Sequence, residues 1–283
     1  MKKVIVVTGT STGFGSLMVK TFHKEDYTVI ATMRDVAGKN AAAAAAFSAL
    51  ENTEVVELDV TDEVSVRAAI AGVLAKYGKI DVLVNNAAVY GNGVLEAYSI
   101  DQVHKMFDVN VYGTLRVNNE VLPAMRAAKD GLIIHISSGV GRISPPFQAP
   151  YNASKFAIEG LVEASYAELI SHGVESVLLE PGAFLTELWA KEGVNANRDG
   201  IVHSYGPETA DMKEKISSAF ERILTAFKPD PQLVADAALA LINTDKGKRA
   251  LRTPVDPSAQ GFDVAYDKVT TEAKANWMAA YGF

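Results

Sequence analysis

Short apolar runs alternate with longer, mixed stretches along the first two thirds of the chain. The runs are rich in Val, Ile and Leu and mostly uninterrupted, which is typical of parallel strands covered on both faces. They predict strands at residues 4–8, 27–32, 54–58, 82–85, 132–136 and 174–179, with helices near 14–24, 37–50, 62–76, 101–128 and 152–171. Because strands and helices alternate, the pattern predicts an α/β fold, a doubly wound parallel sheet with helices on both faces.

The alternation weakens after about residue 183. A glycine-rich stretch extends to about residue 206, followed by predicted helices near 208–227 and 231–243 and a strand near 250–255. Four aromatic residues of the last stretch are interpreted as packing residues: Phe262, Tyr266, Trp277 and Tyr281. With no linker in the sequence, residues 1–283 are predicted to form one domain, with a core at about 1–186 and a loop plus helical C-terminal extension at about 187–283.

The composition disfavours several classes of partner. The chain has 27 basic and 34 acidic residues, a formal charge of −7, so neither a nucleic acid nor an anionic membrane is expected to bind it. It has no cysteine, which excludes disulfides and thiolate chemistry, and its five histidines lack metal-ligand spacing, so no metal site is predicted. The first apolar run, four residues long, is too short for export or for crossing a membrane, and we expect a cytoplasmic protein.

A glycine-rich turn lies between the first predicted strand and the first predicted helix. Its glycines allow a tight bend and a close approach of the backbone to a pyrophosphate, and the free amides of the helix N-terminus face the anion. Its position at the start of a strand–helix series predicts dinucleotide binding. The residues of this turn assigned to the cofactor are Gly9, Ser11, Thr12, Gly13, Phe14 and Gly15.

The end of the second strand indicates which dinucleotide binds. A carboxylate there would accept hydrogen bonds from the ribose hydroxyls of NAD(H), whereas a basic residue would pair with the 2′-phosphate of NADP(H). The strand does not end on a carboxylate, and Arg34 follows shortly after it. NADP(H) is therefore favoured, with Arg34 on the phosphate; NAD(H) is the alternative if Arg34 instead pairs with Asp35 in solvent.

Tyr151 and Lys155 lie four residues apart in the sequence, one turn apart on the same face of a predicted helix. A neighbouring ammonium stabilises phenolate, so Lys155 is expected to lower the pKa of Tyr151 and suit it to acid–base chemistry. Ser138 follows the apolar run at 132–136, at the carboxyl end of a strand, where open α/β sheets bind ligands. The three residues together predict proton transfer to or from a reacting carbonyl or alcohol oxygen.

These motifs occur in the order found in short-chain dehydrogenases/reductases, and the chain resembles that family over about residues 4–186. The residues that carry the resemblance are the glycine turn after Thr8, Asp59–Val60, Asn85 to Ala88, Asn110, Ser138, Tyr151 with Lys155, and Pro181–Gly182 with Thr186. The resemblance implies a Rossmann-like sheet and an NAD(P)-dependent oxidoreductase. In it Tyr151 would be the acid–base, Lys155 would hold the nicotinamide ribose, Ser138 would steady the substrate oxygen and Asn110 would support a proton path.

The resemblance also extends the cofactor site beyond the glycine turn. It implies contacts to the adenosine side from Asp59, Val60, Asn86, Ala87 and Ala88, and to the nicotinamide end from Pro181, Gly182, Phe184 and Thr186. Ala88 departs from the family, which usually has glycine there, so a methyl group is added beside the cofactor. Members commonly form homodimers or homotetramers through helices that match residues 101–128 and 152–171.

The substrate site is predicted to be apolar, which favours a hydrophobic ketone, aldehyde or secondary alcohol. Its lining is assigned to Val140, Tyr90, Phe147 and Trp189, with the C-terminal extension over it and residues 187–206 as a lid ordered by ligand. Arg142 is interpreted as solvated, the alternative being recognition of an acidic group.

The sequence therefore favours an NADP(H)-preferring oxidoreductase, with three alternatives. The first is an NAD-dependent alcohol dehydrogenase of the same family. The second is an epimerase or dehydratase, against which the glycine spacing weighs. The third is a dinucleotide-sensing regulator without catalysis, which would not need Ser138, Tyr151 or Lys155.

Overall fold

Parallel strands form the centre of the structure, a computed structural model that describes residues 2–190 and 193–282, with Trp189 and Ala190 described by their backbone alone. The strands are β1 Lys3–Thr8, β2 Tyr27–Met33, β3 Thr53–Glu57, β4 Val82–Asn85, β5 Gly131–Ile136, β6 Val174–Pro181 and β7 Arg252–Val255. Their order is β3-β2-β1-β4-β5-β6-β7, and every neighbouring pair is parallel. Because β1 lies between β2 and β4, the order reverses there, and a crevice opens at the carboxyl ends of β1 and β4.

Helices cover both faces of the sheet. They are α1 Gly13–Phe22, α2 Ala41–Ser48, α3 Glu63–Tyr77, α4 Ile100–Phe107, α5 Gly113–Ala128, α6 Ala149–Ile170, α7 Glu187–Ala190, α8 Asp199–Ser204, α9 Gly206–Phe227, α10 Gln232–Asn243 and α11 Phe262–Ala280. Successive residues of β1 point to opposite sides, so Ile5 and Val7 join the core under α1 and α10, while Val4 and Val6 join the core under α3 and α5. This arrangement confirms the predicted doubly wound α/β fold.

The helix predicted at 101–128 is interrupted in the structure. A wider π-helical turn, Asp108–Tyr112, separates α4 from α5. Such turns are often found at functional sites, and this one contains Asn110. The hydrophobic pattern could not show the interruption, because each flanking helix has an apolar side of its own, with Val103 and Met106 in α4 and Val117 and Val121 in α5.

The C-terminal extension meets the rest of the chain at two places. Residues 193–196 run beside residues 90–92, with the Val194 amide donating to the Tyr90 carbonyl (2.8 Å) and the Ala196 amide to the Asn92 carbonyl (3.1 Å). α11 lies on the loop that follows β5, where the Tyr266 hydroxyl donates to the Arg142 carbonyl (3.4 Å). Within residues 2–190 and 193–282, every helix is too short or too polar to cross a lipid bilayer.

The interpretation of the C-terminal aromatic residues as packing residues is wrong for this chain taken alone. Phe262, Tyr266, Trp277 and Tyr281 are all exposed, and α11 has no buried residue. The helix is attached through polar side chains instead, which leaves its aromatic rings outside the core.

Candidate active site

Tyr151 and Lys155 lie in the first two turns of α6, and both side chains are almost completely buried. α6 has Pro150 in its first turn, where the missing backbone amide has no partner to lose. The Lys155 ammonium donates to the Ile136 carbonyl at the end of β5 (2.9 Å) and lies 5.8 Å from the centre of the Tyr151 ring. The end of β5 thus holds the lysine against the face of the tyrosine.

Ser138 joins this group just after β5. Its hydroxyl donates to the Pro181 carbonyl (3.3 Å) and accepts from the Val140 amide (3.4 Å).

Burial raises the pKa of Tyr151 above its usual value, and the hydrogen bond with Ser138 offsets this only in part. The expected lowering by Lys155 is not found, because burial dominates and the ammonium is directed at the Ile136 carbonyl. The phenol is therefore protonated at neutral pH.

Asn110 is fixed in the π-helical turn by bonds in both directions. Its side-chain oxygen accepts from the Val89 amide (2.8 Å), while its side-chain nitrogen donates to the Val89 carbonyl (3.0 Å) and to the Ser154 hydroxyl (3.0 Å). Ser154 in turn donates to the Tyr151 carbonyl (2.7 Å). Asn110 thus ties the loop after β4 to the turn of α6 that carries the tyrosine.

The glycine turn has the shape that a phosphate cradle requires. Gly9 has a left-handed backbone (φ 69°), and a Cβ there would lie 2.8 Å from the Cα of Ala87. A Cβ on Gly15 would lie 2.4 Å from the Gly9 carbonyl oxygen. Asn86 holds the turn from the end of β4, donating to the carbonyls of Thr8 (2.9 Å) and Gly9 (3.0 Å). Ser11, Thr12 and Phe14 complete an open bend into the N-terminus of α1, so these residues fit a dinucleotide pyrophosphate.

A residue that the sequence did not indicate lies at this cradle. The exposed carboxylate of Glu187, the first residue of α7, accepts a hydrogen bond from the Gly13 amide (3.0 Å). That amide belongs to the helix N-terminus at which a pyrophosphate would bind. An acidic residue next to Thr186 has no signature in the sequence, because the contact joins residues 174 positions apart.

The residues predicted for the adenosine end lie mainly after β2 and β3. The guanidinium of Arg34 is 67 % exposed and lies 4.0 Å from the Asp59 carboxylate. Asp35 instead accepts from the Lys39 amide (2.8 Å), so the alternative pairing of Arg34 with Asp35 is not present. Asp59 also accepts from the Thr61 amide (2.9 Å), and the buried Val60 follows it. Ala87 and Ala88 lie after β4 and are half-buried.

The residues predicted for the nicotinamide end lie at and just after the end of β6. Pro181 and Phe184 are buried, and Phe184 makes an edge-to-face contact with Phe14 of α1 (5.6 Å between ring centres). The Gly182 amide donates to the Val255 carbonyl (2.9 Å), and a side chain at Gly182 would collide with Asp256. Thr186 lies beside Gly13, so this segment bridges the two halves of the crevice.

An apolar wall surrounds the Tyr151 phenol. Tyr90 packs edge-to-face on Tyr151, with ring centres 5.0 Å apart. The other members of this cluster are Tyr98, Met106 and Val194, with Val89, Val103, Val140, Leu188 and Ala196 packed against them. Two of the predicted substrate residues, Tyr90 and Val140, therefore lie here.

The other two predicted substrate residues do not belong to the described wall. Phe147 contributes its carbonyl to the Gly93 amide (2.7 Å) from a left-handed conformation (φ 65°). The side chain of Trp189 lies outside the described residues. Tyr98, Met106 and Val194 were missed, because nothing in the sequence shows that segments so far apart meet at Tyr151.

Arg142 is neither solvated nor free to recognise an acidic substrate, so both interpretations were wrong. Its side chain is only 13 % exposed and pairs with Glu180 (3.1 Å) and Asp267 (2.9 Å).

His135, on β5, is fully buried between Ser176 (3.1 Å) and Asn85 (3.4 Å), as a core histidine should be. Burial lowers the pKa of His135 to about 3.

Comparison with known proteins identifies the family. A family model described as short chain dehydrogenase matches residues 3–197. The chain belongs to the short-chain dehydrogenase family. It is an NAD(P)-dependent dehydrogenase or reductase, as its sequence predicted.

The similarity to individual relatives extends beyond residues 3–197 to nearly the whole chain. Human retinol dehydrogenase 8 is 38 % identical over 276 residues, 95 % of this chain and 84 % of its own length. A solved short-chain dehydrogenase from Streptomyces avermitilis is 31 % identical with a TM-score of 0.77, covering 100 % of this chain and 99 % of its own. The structure of ElxO with NADP bound is 28 % identical with a TM-score of 0.74, covering 90 % and 98 %.

Proposed function

We propose that the chain is an NADP(H)-preferring oxidoreductase that transfers a hydride between the nicotinamide and the carbonyl or secondary-alcohol carbon of a hydrophobic small molecule. The observation that carries this function is the Tyr151 phenol, hydrogen-bonded with Ser138, one helical turn from Lys155 and enclosed by apolar side chains. The glycine cradle lies at the carboxyl end of β1 and this phenol at that of β5, with β4 between them on the same edge of the sheet, so one extended ligand can reach both.

The residues would divide the acid–base work. A bound nicotinamide dinucleotide supplies or accepts the hydride. Ser138 and Tyr151 donate hydrogen bonds to the substrate oxygen as negative charge develops on it, and Tyr151 then gives up its proton. Since burial raises the pKa of Tyr151, the phenol begins protonated and suits reduction. Burial lowers the pKa of Lys155 to about 8, which leaves it mostly cationic at neutral pH and able to stabilise the phenolate.

Replacing Tyr151 with phenylalanine tests this mechanism. The kcat of Tyr151→Phe should fall by about 10²–10⁴-fold, the usual contribution of a positioned acid, while the dissociation constant for NADPH stays essentially unchanged. Tyr166→Phe removes a hydroxyl from the same helix away from the apolar wall and is the matched control. Normal turnover by Tyr151→Phe, or equal losses in both variants, would refute the assignment.

Arg34 supports the preference for NADP(H). Its exposed guanidinium follows β2 directly, 4.0 Å from Asp59, where it could turn toward a 2′-phosphate, and β2 ends on Met33 rather than on a carboxylate. A charge-assisted contact at an exposed position is expected to change affinity by about tenfold. Arg34→Ala should therefore raise the KM for NADPH about tenfold and leave that for NADH unchanged. If wild-type kcat/KM is higher with NADH, the preference is wrong while the oxidoreductase function stands.

The substrate class follows from the apolar wall. Tyr90, Val140 and Val194 offer aromatic and aliphatic surface beside the phenol, so longer hydrocarbon chains should bind better. Oxidation of NADPH, followed at 340 nm with ketones of increasing chain length, should show kcat/KM rising about fourfold per buried methylene until the wall is filled. A preference for small polar or acidic carbonyl compounds would contradict a hydrophobic substrate.

A further inference from the structure

α11 is attached to the rest of the chain through its polar side. Asp267 and Thr270 accept hydrogen bonds from the Arg142 guanidinium (2.9 and 2.6 Å), and the Lys274 ammonium pairs with Glu163 of α6 (2.6 Å). Residues 267, 270 and 274 recur at the spacing of one helix face. Surface helices usually pack on the protein through their apolar side, whereas α11 is attached through its polar side.

The apolar side of α11 faces outward as a result. Phe262, Val269 and Trp277 expose 77, 66 and 67 % of their surface. Their spacings of seven and eight residues place them on one stripe, with Ala273 between them. An exposed stripe of this kind marks an interaction site.

A second copy of the chain fits this stripe better than a lipid surface does. Helices that lie on membranes are rich in Lys and Arg, whereas α11 has two lysines and three acidic residues in a chain of net charge −7. The stripe and the neighbouring Tyr266 and Tyr281 offer roughly 600 Å² per chain, approaching the 800 Å² or so that each partner buries in a stable interface. The area is therefore sufficient for most of an interface between two helices.

The charges beside the stripe are self-complementary. Lys268 and Glu272 lie on the same flank of α11, and within the described residues neither has an ion-pair partner. In an antiparallel pair related by a two-fold axis at the level of Thr270, Lys268 of one copy lies level with Glu272 of the other. The same axis brings Phe262 level with Met278 of the second copy, beside its Trp277. Two reciprocal ion pairs would then flank a common apolar stripe.

We propose that α11 pairs antiparallel with α11 of a second copy about a two-fold axis near Thr270, through Phe262, Val269 and Trp277, with Lys268 facing Glu272. This surface is distinct from the exposed sides of α5 and α6. Because α11 also holds Arg142, the pairing would brace the loop between Ser138 and Tyr151.

The absence of cysteine from the sequence makes a site-specific test available. In Val269→Cys the new thiol lies on the stripe next to the axis, while in Thr271→Cys it lies on the opposite side of the same helix. Mild oxidation of the full chain should give about tenfold more disulfide-linked dimer from Val269→Cys than from Thr271→Cys, because a disulfide needs Cα atoms within about 7 Å. Equal yields would overturn the proposal.

Charge reversal tests the register in the Val269→Cys background. Adding Lys268→Glu places like charges opposite each other and should weaken self-association about tenfold, lowering the cross-linked yield. Adding Glu272→Lys as well should restore the yield; failure to restore it would overturn the antiparallel register. If Val269→Cys forms no cross-link and the wild-type chain floats with phosphatidylcholine vesicles, the stripe binds lipid and the proposal is overturned.

Discussion

Replacing Arg142 with alanine would leave a carboxylate buried without its main partner. Glu180 is only 4 % exposed and pairs with Arg142 at 3.1 Å, with Arg252 farther away at 3.4 Å. Burial, together with the nearby Glu159, already raises the pKa of Glu180. Removing one partner of a buried ion pair costs about 3–5 kcal/mol, because the remaining charge stays desolvated.

Arg67 provides the comparison that separates this effect from the loss of any arginine. It pairs with Glu120 at 3.5 Å, but its side chain is 67 % exposed, and exposed pairs contribute only about 0–1 kcal/mol. Urea denaturation should therefore show a loss of about 3–5 kcal/mol in the free energy of unfolding for Arg142→Ala and at most about 1 kcal/mol for Arg67→Ala. At 2–4 °C per kcal/mol, the Tm of Arg142→Ala should fall by roughly 6–20 °C.

The pH dependence of Arg142→Ala provides a second check. A raised pKa means that folded Glu180 binds a proton more readily than unfolded Glu180, so stability contributed by protonation is gained as pH falls. The destabilisation should therefore be larger at pH 8 than at pH 6, and Glu180→Gln should recover part of it. If Arg142→Ala is no less stable than Arg67→Ala, the buried network does not contribute as the structure indicates.

Three further predictions concern the glycine cradle, the core and Lys155. Glu187→Gln removes a carboxylate that accepts a hydrogen bond from the Gly13 amide, where it would compete with a bound phosphate. An exposed anion at a helix N-terminus contributes about 0.3–1 kcal/mol. Fluorescence titration should therefore show that Glu187→Gln binds NADPH about two- to fivefold more tightly than the wild-type chain. Glu214→Gln, on α9, is the control. An unchanged affinity in Glu187→Gln would contradict the competition. Burial lowers the pKa of His135 to about 3, so the unfolded chain takes up the proton first and stability should fall as pH drops below about 6.5. His135→Gln should flatten this dependence in denaturation at pH 7, 6 and 5, and an equal slope in both proteins rules out His135 as its source. Burial lowers the pKa of Lys155 to about 8, and the charge of Glu159 opposes this shift. Glu159→Gln should therefore move the alkaline decline of kcat/KM to lower pH, whereas the control Glu168→Gln should leave it in place. If the decline does not move in Glu159→Gln, Glu159 does not act on Lys155.

Local patterns in the sequence were enough to predict the sheet. The strands at 4–8, 27–32 and 82–85 recur in β1, β2 and β4 within a residue or two, because fully buried parallel strands need continuous apolar runs. The glycine turn was predictable for a similar reason, since only glycine tolerates the left-handed backbone and the close approach to Ala87. Spacing also placed Tyr151 and Lys155 on one face of a helix.

The tertiary structure decided the surroundings of these residues. The predicted lowering of the Tyr151 pKa by Lys155 neglected burial, and burial depends on Tyr90 and Val194, which arrive from distant segments. The sequence favours a solvated Arg142, because an isolated arginine is usually exposed. Only the meeting of β6 and α11 shows that it neutralises two carboxylates.

By itself, then, the sequence determined the α/β sheet, the glycine cradle and the order of the catalytic candidates, because each depends on neighbours a few residues away. The structure alone decided the π-helical turn at Asn110, the carboxylate of Glu187 at the cradle and the outward apolar stripe of α11. These features depend on which distant segments meet. Burial and charge at a site are set by everything packed around it, and no local pattern records those contacts.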